Sequence, residues 1–386
     1  MTECTFINDL QTPCLVLDHN KVQKNAERIL AMSKQYGVDL RPHFKTTKCV
    51  EAAILQTGGS KRGMVVSTLA EAQLLYQNGF DDILLGVPLS MSKMKRCADL
   101  TEYMERFCVM VDSQEMADFI SNSRKKFPLK NGKKWNVFLK VDCENGRCGV
   151  FHDSDSSVDV ACTLSKSSNV HFCGLYAHCG DSYHQPGVEA IHKVATKTTQ
   201  CLVAFKNKLE AAGIECKTYG IGSTPTCSQP CEAMRQLTEW HPGNYILYDQ
   251  MQKNIGSCSS DDIAVQVITR VIGHYPDSKT PHMIIDCGFT ALSLHGKGDC
   301  CGMTPGSGYG CIVGHPELKL VGMSQEHGVV VPSNDNASLD FNCYPLDTLL
   351  RILPDHSCAT CAMHPVFYVA DKEGRIIDQW TPIRGW

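Results

Sequence analysis

The run Val38-Asp39-Leu40-Arg41-Pro42-His43-Phe44-Lys45 sets three basic side chains at alternate positions. In an extended strand Arg41, His43 and Lys45 share one face, and Leu40, Pro42 and Phe44 share the other. Cations on an inward strand face cost free energy unless something uses them. An amine beside other cations becomes a usable nucleophile, able to form a Schiff base with a carbonyl. A solvated basic loop is the plainer reading, and for an isolated Lys-Thr-Thr-Lys it would be preferred.

Two glycine-bearing loops further along suit an anion. Gly222-Ser223-Thr224-Pro225-Thr226 follows one strand-like run, and Pro242-Gly243-Asn244-Tyr245 lies within the next. Glycine lets backbone N–H groups approach a phosphate, and hydroxyls add donors. Either loop alone reads as an ordinary turn or helix cap. Tyr176-Ala177-His178 ends an earlier run, with Tyr183 just beyond. Tyr176 and His178 share a face that can meet a bound ring or its phosphate; a half-buried aromatic pair is the competing reading. Glu144-Asn145-Gly146-Arg147 offers the Arg147 guanidinium to an anionic oxygen, against the alternative of a surface turn.

Near the end stands Pro354-Asp355-His356-Ser357-Cys358. In an extended segment His356 and Cys358, as i and i+2, point the same way and can bind one Zn²⁺ through nitrogen and thiolate. Two ligands are too few for a closed structural site and leave positions open for substrate or water. In a chain with this many cysteines, a core thiol beside a chance histidine is the strong alternative. Cys361 and His364 are nearby substitutes as ligands. Cys358-x-x-Cys361 lacks the surroundings of a thioredoxin-like redox motif.

These residues need elements to carry them. Strand-like runs at 38–45, 63–67, 82–86, 107–111, 135–142, 171–178, 216–222 and 236–247 alternate with helical stretches at 21–36, 69–78, 91–105, 113–125 and 188–212. Eight strands alternating with helices predict a (β/α)8 TIM-like barrel, with a doubly wound open sheet as competitor. Active sites of such barrels lie at the C-terminal strand ends, and phosphate often binds after strands seven and eight. The positions of Lys45, Gly222 and Gly243 agree with that. From Ile263 onward strand follows strand, punctuated by glycine and proline, notably in Gly302-Met303-Thr304-Pro305-Gly306, which predicts a C-terminal all-β domain. The barrel is expected over 18–260, and the β domain over 261–386, with the early strand 13–17 pairing into it through segment 1–17.

Composition sets the outer bounds. The chain has 386 residues, 43% hydrophobic and 20% charged, as in ordinary globular proteins. A net charge of −4 gives no general attraction to nucleic acid or anionic membrane. No run reaches membrane-spanning length, and Met1–Leu10 lacks the basic start and apolar core of a signal peptide. The 22 cysteines, Cys300-Cys301 among them, are scattered through a large chain, which favours free thiols in a reducing cytoplasm over a disulfide framework.

The runs Thr12-Pro13-Cys14-Leu15-Val16-Leu17-Asp18 and Arg41-Pro42-His43-Phe44-Lys45-Thr46-Thr47-Lys48 resemble the openings of a family of pyridoxal-phosphate enzymes. That family includes eukaryotic D-serine dehydratase and bacterial D-threonine aldolase. The likeness continues in order through the two glycine loops and Pro354–Cys358, so it covers nearly the whole chain. Phe44 and Thr47 depart from the commonest forms of the lysine motif without touching the lysine itself. The resemblance implies the alanine-racemase-like architecture (PLP fold type III), a barrel followed by a β domain to which the first strand contributes. It implies pyridoxal 5'-phosphate carried on Lys45, with Arg147, Tyr176, Tyr183, Gly222, Ser223, Thr224, Gly243 and Asn244 as cofactor-binding residues, and Zn²⁺ on His356 and Cys358. The aldolase branch carries His-x-Asp there, so Cys358 points to the dehydratase. The implied reaction is α,β-elimination of D-serine to pyruvate and ammonia by a homodimer. The rivals are a D-threonine aldolase-type cleavage of D-3-hydroxy amino acids, a racemase, which would need no metal, and a non-catalytic pyridoxal-phosphate barrel, which would lack the second domain.

Overall fold

The structure, a computed structural model, describes residues 5–296, 308–334 and 336–386. The glycine-rich run 302–306 and the Cys300-Cys301 pair lie outside them. The chain divides into two compact units, Met1–Asn25 with Asn244–Pro382, and Ala26–Gly243 with Ile383–Trp386.

Strand β1 (Cys14–Asp18) precedes helix α1 (His19–Tyr36). The barrel unit then runs β2 (Asp39–Leu40), α2 (Val50–Gln56), β3 (Met64–Val66), α3 (Leu69–Gln77), β4 (Asp82–Pro88), α4 (Met94–Tyr103), β5 (Arg106–Val111) and α5 (Gln114–Ser121). It continues with β6 (Trp135–Asp142), the short β7 (Val150–Phe151), α6 (Asp155–Lys166), β8 (Val170–His178), α7 (Val188–Ala211), β9 (Thr218–Gly222), α8 (Thr224–Ser228) and β10 (Glu239–Trp240). The parallel sheet has the order β2-β10-β9-β8-β6-β5-β4-β3, with β7 on the side of β6. A parallel bridge between His43 and Val65 joins its two ends, so the sheet closes and the open doubly wound alternative falls away. Strands covered on both faces must be apolar throughout, and Trp135-Asn-Val-Phe-Leu-Lys-Val-Asp142 reads that way, with Lys140 as the exception. Around it, α7 buries Ile191, Ala195, Thr198, Leu202, Phe205 and Leu209, a stripe spaced by three and four.

The other unit continues with α9 (Gln250–Asn254), β11 (Val265–Tyr275), β12 (His282–Ile285), α10 (Phe289–Leu292), β13 (Gly310–Ile312), β14 (Leu318–Met323), β15 (Gly328–Pro332), β16 (Leu349–Pro354), α11 (Ser357–Met363), β17 (Phe367–Ala370) and β18 (Ile376–Trp380). Its sheet has the order β14-β15-β12-β11-β1-β17-β18, with β16 also on β11 and β13 on β16. The early strand β1 thus lies between β11 and β17, antiparallel to one and parallel to the other. Three short helices sit among these strands, so the unit is mostly, not wholly, β.

Two local expectations need correction. The first strand is shorter than 38–45: regular pairing ends at Leu40, and Phe44–Thr46 form a single 3-10 turn. Pro42 has no N–H to extend the ladder, although its carbonyl accepts from Val65 N at 2.9 Å. Likewise the segment with His356 and Cys358 is not extended. Strand β16 stops at Pro354, His356 is the N-cap of α11, and Cys358 lies in its first turn.

Arg41 is not a solvated cation at the rim but a core ion. Its guanidinium holds Asp82 through two hydrogen bonds of 2.9 and 3.2 Å and reaches Glu239 at 3.0 Å. Glu239 also accepts from or pairs with His241 Nε2 at 3.3 Å. Burial alone would raise the Glu239 pKa, but Arg41 and His241 outweigh it and hold the carboxyl far below the usual range. Removing the cation strands two buried carboxylates. Arg41→Met should therefore lower the unfolding free energy in urea by about 3–5 kcal/mol. Arg62→Met, which breaks only the exposed pair with Glu105, should leave the midpoint nearly unchanged. Equal, small effects of the two would mean the buried network does not hold the barrel.

Candidate active site

All barrel strands run parallel, so their C-terminal ends share one rim, and the predicted groups collect there. Lys45 stands exposed on the 3-10 turn after β2, its backbone N–H donating to His43 Nδ1 at 3.3 Å. β6 contributes Lys140, β8 contributes Tyr176 and His178, and His241 follows β10. The Tyr176 and His241 rings stack with centroids 4.1 Å apart and planes 8° from parallel. Lys140 Nζ lies 4.4 Å from the Tyr176 centroid, in range for a cation–π contact. Gly220 and Gly222 make this stack possible, since a Cβ on either would come within 2.7 Å of the His241 side chain.

The rim is electrostatically tense. Burial drives the His43 pKa well below its ordinary value, helped by Lys45, His178, His241 and Lys140. Burial, with Lys140, Lys45 and Arg147, brings His178 down to about 3. His241 is lowered chiefly by burial despite Glu239. Burial also lowers Lys140, to about 8, and pushes the Tyr176 hydroxyl up. A set of neutral imidazoles and a buried amine facing one space is what an anionic or carbonyl-bearing ligand would find favourable. Arg147 stands exposed in the loop after β6, close enough to affect Lys140, Tyr176 and His178.

The glycine loop after β9 opens α8. Ser223 caps that helix, accepting from Thr226 N at 3.3 Å, and its hydroxyl joins those of Ser182 at 2.8 Å and Thr226 at 2.9 Å. Tyr183 Oη accepts from Thr224 N at 3.2 Å. Thr224 Oγ1 is buried with no hydrogen-bond partner in the protein. An unpaired buried hydroxyl in a hydroxyl-rich loop fits a phosphate monoester, which would complete its hydrogen bonding. Gly243 serves a different need: a Cβ there would stand 2.9 Å from His43 Cβ, so glycine permits close packing under the lysine turn. The barrel residues therefore fit pyridoxal phosphate, with donors for the phosphate after β9 and Lys45 for the aldehyde.

The metal pair belongs to the other unit. His356 Nδ1 lies 3.4 Å from Asp249 Oδ2. That buried carboxylate also accepts from Ser357 N at 2.9 Å and from Asn244 Nδ2 at 2.7 Å, while Asp249 Oδ1 caps α9 through Gln252 N. Asn244 Nδ2 additionally lies 3.7 Å from Cys358 Sγ. Burial opposes a charge on His356, but the Cys358 thiolate and Asp249 outweigh it and hold it at about 11. An imidazole and a thiolate paired around one helix N-terminus, the imidazole backed by a carboxylate, are a donor set for a borderline-soft divalent ion. Of the substitute ligands, His364 is committed to the Ala291 carbonyl at 2.7 Å, and Cys361 is buried. No described cysteine is in a disulfide.

Four residues, two beside each of these groups, lay beyond the sequence reading. Lys140 had a signal, a lone lysine in a buried strand. His241 had one too, standing directly before Pro242-Gly243 at the rim. Asp249 and His295, whose ring is 5.0 Å from that of His356, gave none, because only folding brings them to the metal pair.

Residues 17–250 match the alanine racemase N-terminal domain family, and residues 264–370 match a serine dehydratase domain. Among curated proteins, D-serine dehydratase of Dictyostelium discoideum is 32% identical over 98% of each chain. D-threo-3-hydroxyaspartate dehydratase of Delftia sp. (strain HT23) is 31% identical over 98% of each chain. A solved structure of the latter enzyme superposes with a TM-score of 0.90 at 30% identity, covering 99% of this chain and 100% of that one. A cysteine-to-alanine mutant of that enzyme has also been solved in a metal-free form, with the same overlap.

Neutral histidines make the rim sensitive to acid. A histidine whose folded pKa is depressed stabilises the fold fully above its unfolded pKa of about 6.5, and that stability drains as pH falls toward the folded value. Unfolding free energies from urea melts should therefore drop between pH 7.5 and pH 5.5, by up to about 1.4 kcal/mol per pH unit for each such histidine below about pH 6.5. His178→Asn should shallow the slope by one group. A midpoint flat across that interval would contradict the neutral cluster.

Proposed function

This chain belongs to the alanine racemase N-terminal domain family, with a serine dehydratase domain behind it, and from that premise we propose that it converts D-serine to pyruvate and ammonia. The observation that carries the reading is the presence, in one chain, of a rim lysine among buried basic side chains and of a His-Cys pair braced by Asp249. Lys45 would hold pyridoxal 5'-phosphate at its aldehyde. Thr224, Ser223 and Gly222 would take its phosphate, with Tyr183 fixing that loop, and Arg147 and Tyr176 would face its ring. His356 and Cys358 would hold Zn²⁺. When bound, the pyridine ring of such a cofactor takes up electron density from a neighbouring carbon, and the metal acts as a Lewis acid toward an oxygen leaving group.

The protein's own groups supply the rest. Lys45 Nζ is placed on a one-turn element rather than a flexible loop, and it takes the proton from the substrate α-carbon. Asp249 Oδ2, 3.4 Å from His356 Nδ1, backs the imidazole on that side, with Nε2 as the ligand atom. Asn244 steadies both Asp249 and the Cys358 sulfur. Cys358 as a thiolate ligand favours dehydration over the cleavage expected of a His-x-Asp pair. The second unit and its metal pair argue against a non-catalytic barrel, which would need neither. The reading places the protein in the cytoplasm as a homodimer, in line with its many free thiols.

Purified protein incubated with D-serine, D-threonine and D-threo-3-hydroxyaspartate separates the possibilities by product. Pyruvate from D-serine is expected; glycine and an aldehyde from D-threonine would instead indicate the aldolase. Cys358→Ala should lower kcat for pyruvate formation at least about 100-fold, some 2.7 kcal/mol of barrel-independent leaving-group assistance. The visible absorbance of bound cofactor should persist in that variant. Full-rate pyruvate formation by the variant would remove the metal from the reaction.

A further inference from the structure

On the barrel unit, three side chains of different elements converge. Glu144 lies in the loop after β6, His152 directly follows β7, and Cys201 lies on α7. Their carboxylate oxygen, imidazole nitrogen and sulfur all lie within 4.8 Å of one another, and no other set of three such side chains among the described residues does so. His152 Nε2 and Glu144 Oε1 are 3.4 Å apart. That is about the edge of a tetrahedron whose nitrogen and oxygen ligands stand about 2.05 Å from a central zinc. A zinc–sulfur bond of about 2.3 Å requires the thiol about 3.6 Å from the other two ligands, within reach of a rotamer adjustment at Cys201.

The surroundings support a ligand role for Glu144. Lys197 and Cys201 are i and i+4 on α7 and so share a face. Lys197 Nζ pairs with Glu144 Oε2, leaving Oε1 turned to His152. A cation on the second carboxylate oxygen orients the first, as outer partners do for carboxylate ligands elsewhere. Glu144 holds a left-handed backbone, φ 70°, rare for a residue other than glycine. His152 and Cys201 are part-exposed, so an ion has a path in.

We propose that Glu144, His152 and Cys201 form a second site for a borderline divalent cation, Zn²⁺ by its mixed oxygen, nitrogen and sulfur donors, with a fourth position open to water. Binding releases the Cys201 thiol proton to solvent and involves no redox change. It ties the loop of Arg147 to α7, since Glu144 and Arg147 belong to one loop whose Asn145 N and Gly146 N bond Asp142.

Holoenzyme dialysed against buffered free Zn²⁺ should hold two ions per chain by elemental analysis. Cys201→Ser and His152→Ala should each hold one, as should Cys358→Ala, and Cys201→Ser combined with Cys358→Ala should hold none. Cobalt gives an independent readout: thiolate-to-cobalt absorption should survive Cys358→Ala and disappear when Cys201→Ser is added. One ion per chain in the unaltered protein, with Cys201→Ser unchanged in stoichiometry and spectrum, would overturn the proposal.

Discussion

The buried pairing of Arg41 with Asp82 and Glu239 is the constraint on which the barrel rim depends. It joins β2, β4 and β10 at the seam where the parallel sheet closes. β2 and β10 have only two regularly paired residues each, too few for backbone hydrogen bonds alone to fix their register. A guanidinium shared between two carboxylates fixes it instead, because any slip would leave charge buried and unpaired. From that fixed point the chain runs directly to His43 and Lys45 on one side and to His241 on the other. Glu239 links the two by holding His241 in place under Tyr176.

Asp249 does a comparable job in the other unit. One buried carboxylate caps α9, binds the first N–H of α11 and backs His356. The proposed metal pair is therefore positioned by a helix start rather than by strand alternation. This explains how residues two apart can converge on one ion without an extended backbone: an N-cap and the first turn of a helix both face the space before the helix.

The sequence was legible where a segment's own pattern decides its structure. Trp135–Asp142 is the strand its largely apolar run predicts, and Val188–Ala211 is the helix its spacing predicts. Closure of the sheet was legible only as a prior, since periodicity carries no information about which ends meet. α6, Asp155–Lys166, went unread because its serines, aspartates and threonine are weak helix formers and its buried face is only Ser157, Val160, Ala161 and Leu164. β16 was hidden beside the metal motif. Arg41 was read as a site cation because its alternation with His43 and Lys45 was visible, whereas Asp82 and Glu239 are distant in sequence. Lys45, Thr224, Tyr176 and the His-Cys pair are candidates that order along the chain and family likeness single out; their partners are set by tertiary contact.

The central claim is that Lys45, and not another amine, carries the cofactor. Lys140 is the serious physical competitor, being buried at the same rim with its pKa brought to about 8. Borohydride reduction of the holoenzyme, followed by digestion and mass mapping of the pyridoxyl group, decides between them. The account predicts the label on the peptide containing Lys45. A label on Lys140, or on Lys48, would contradict it.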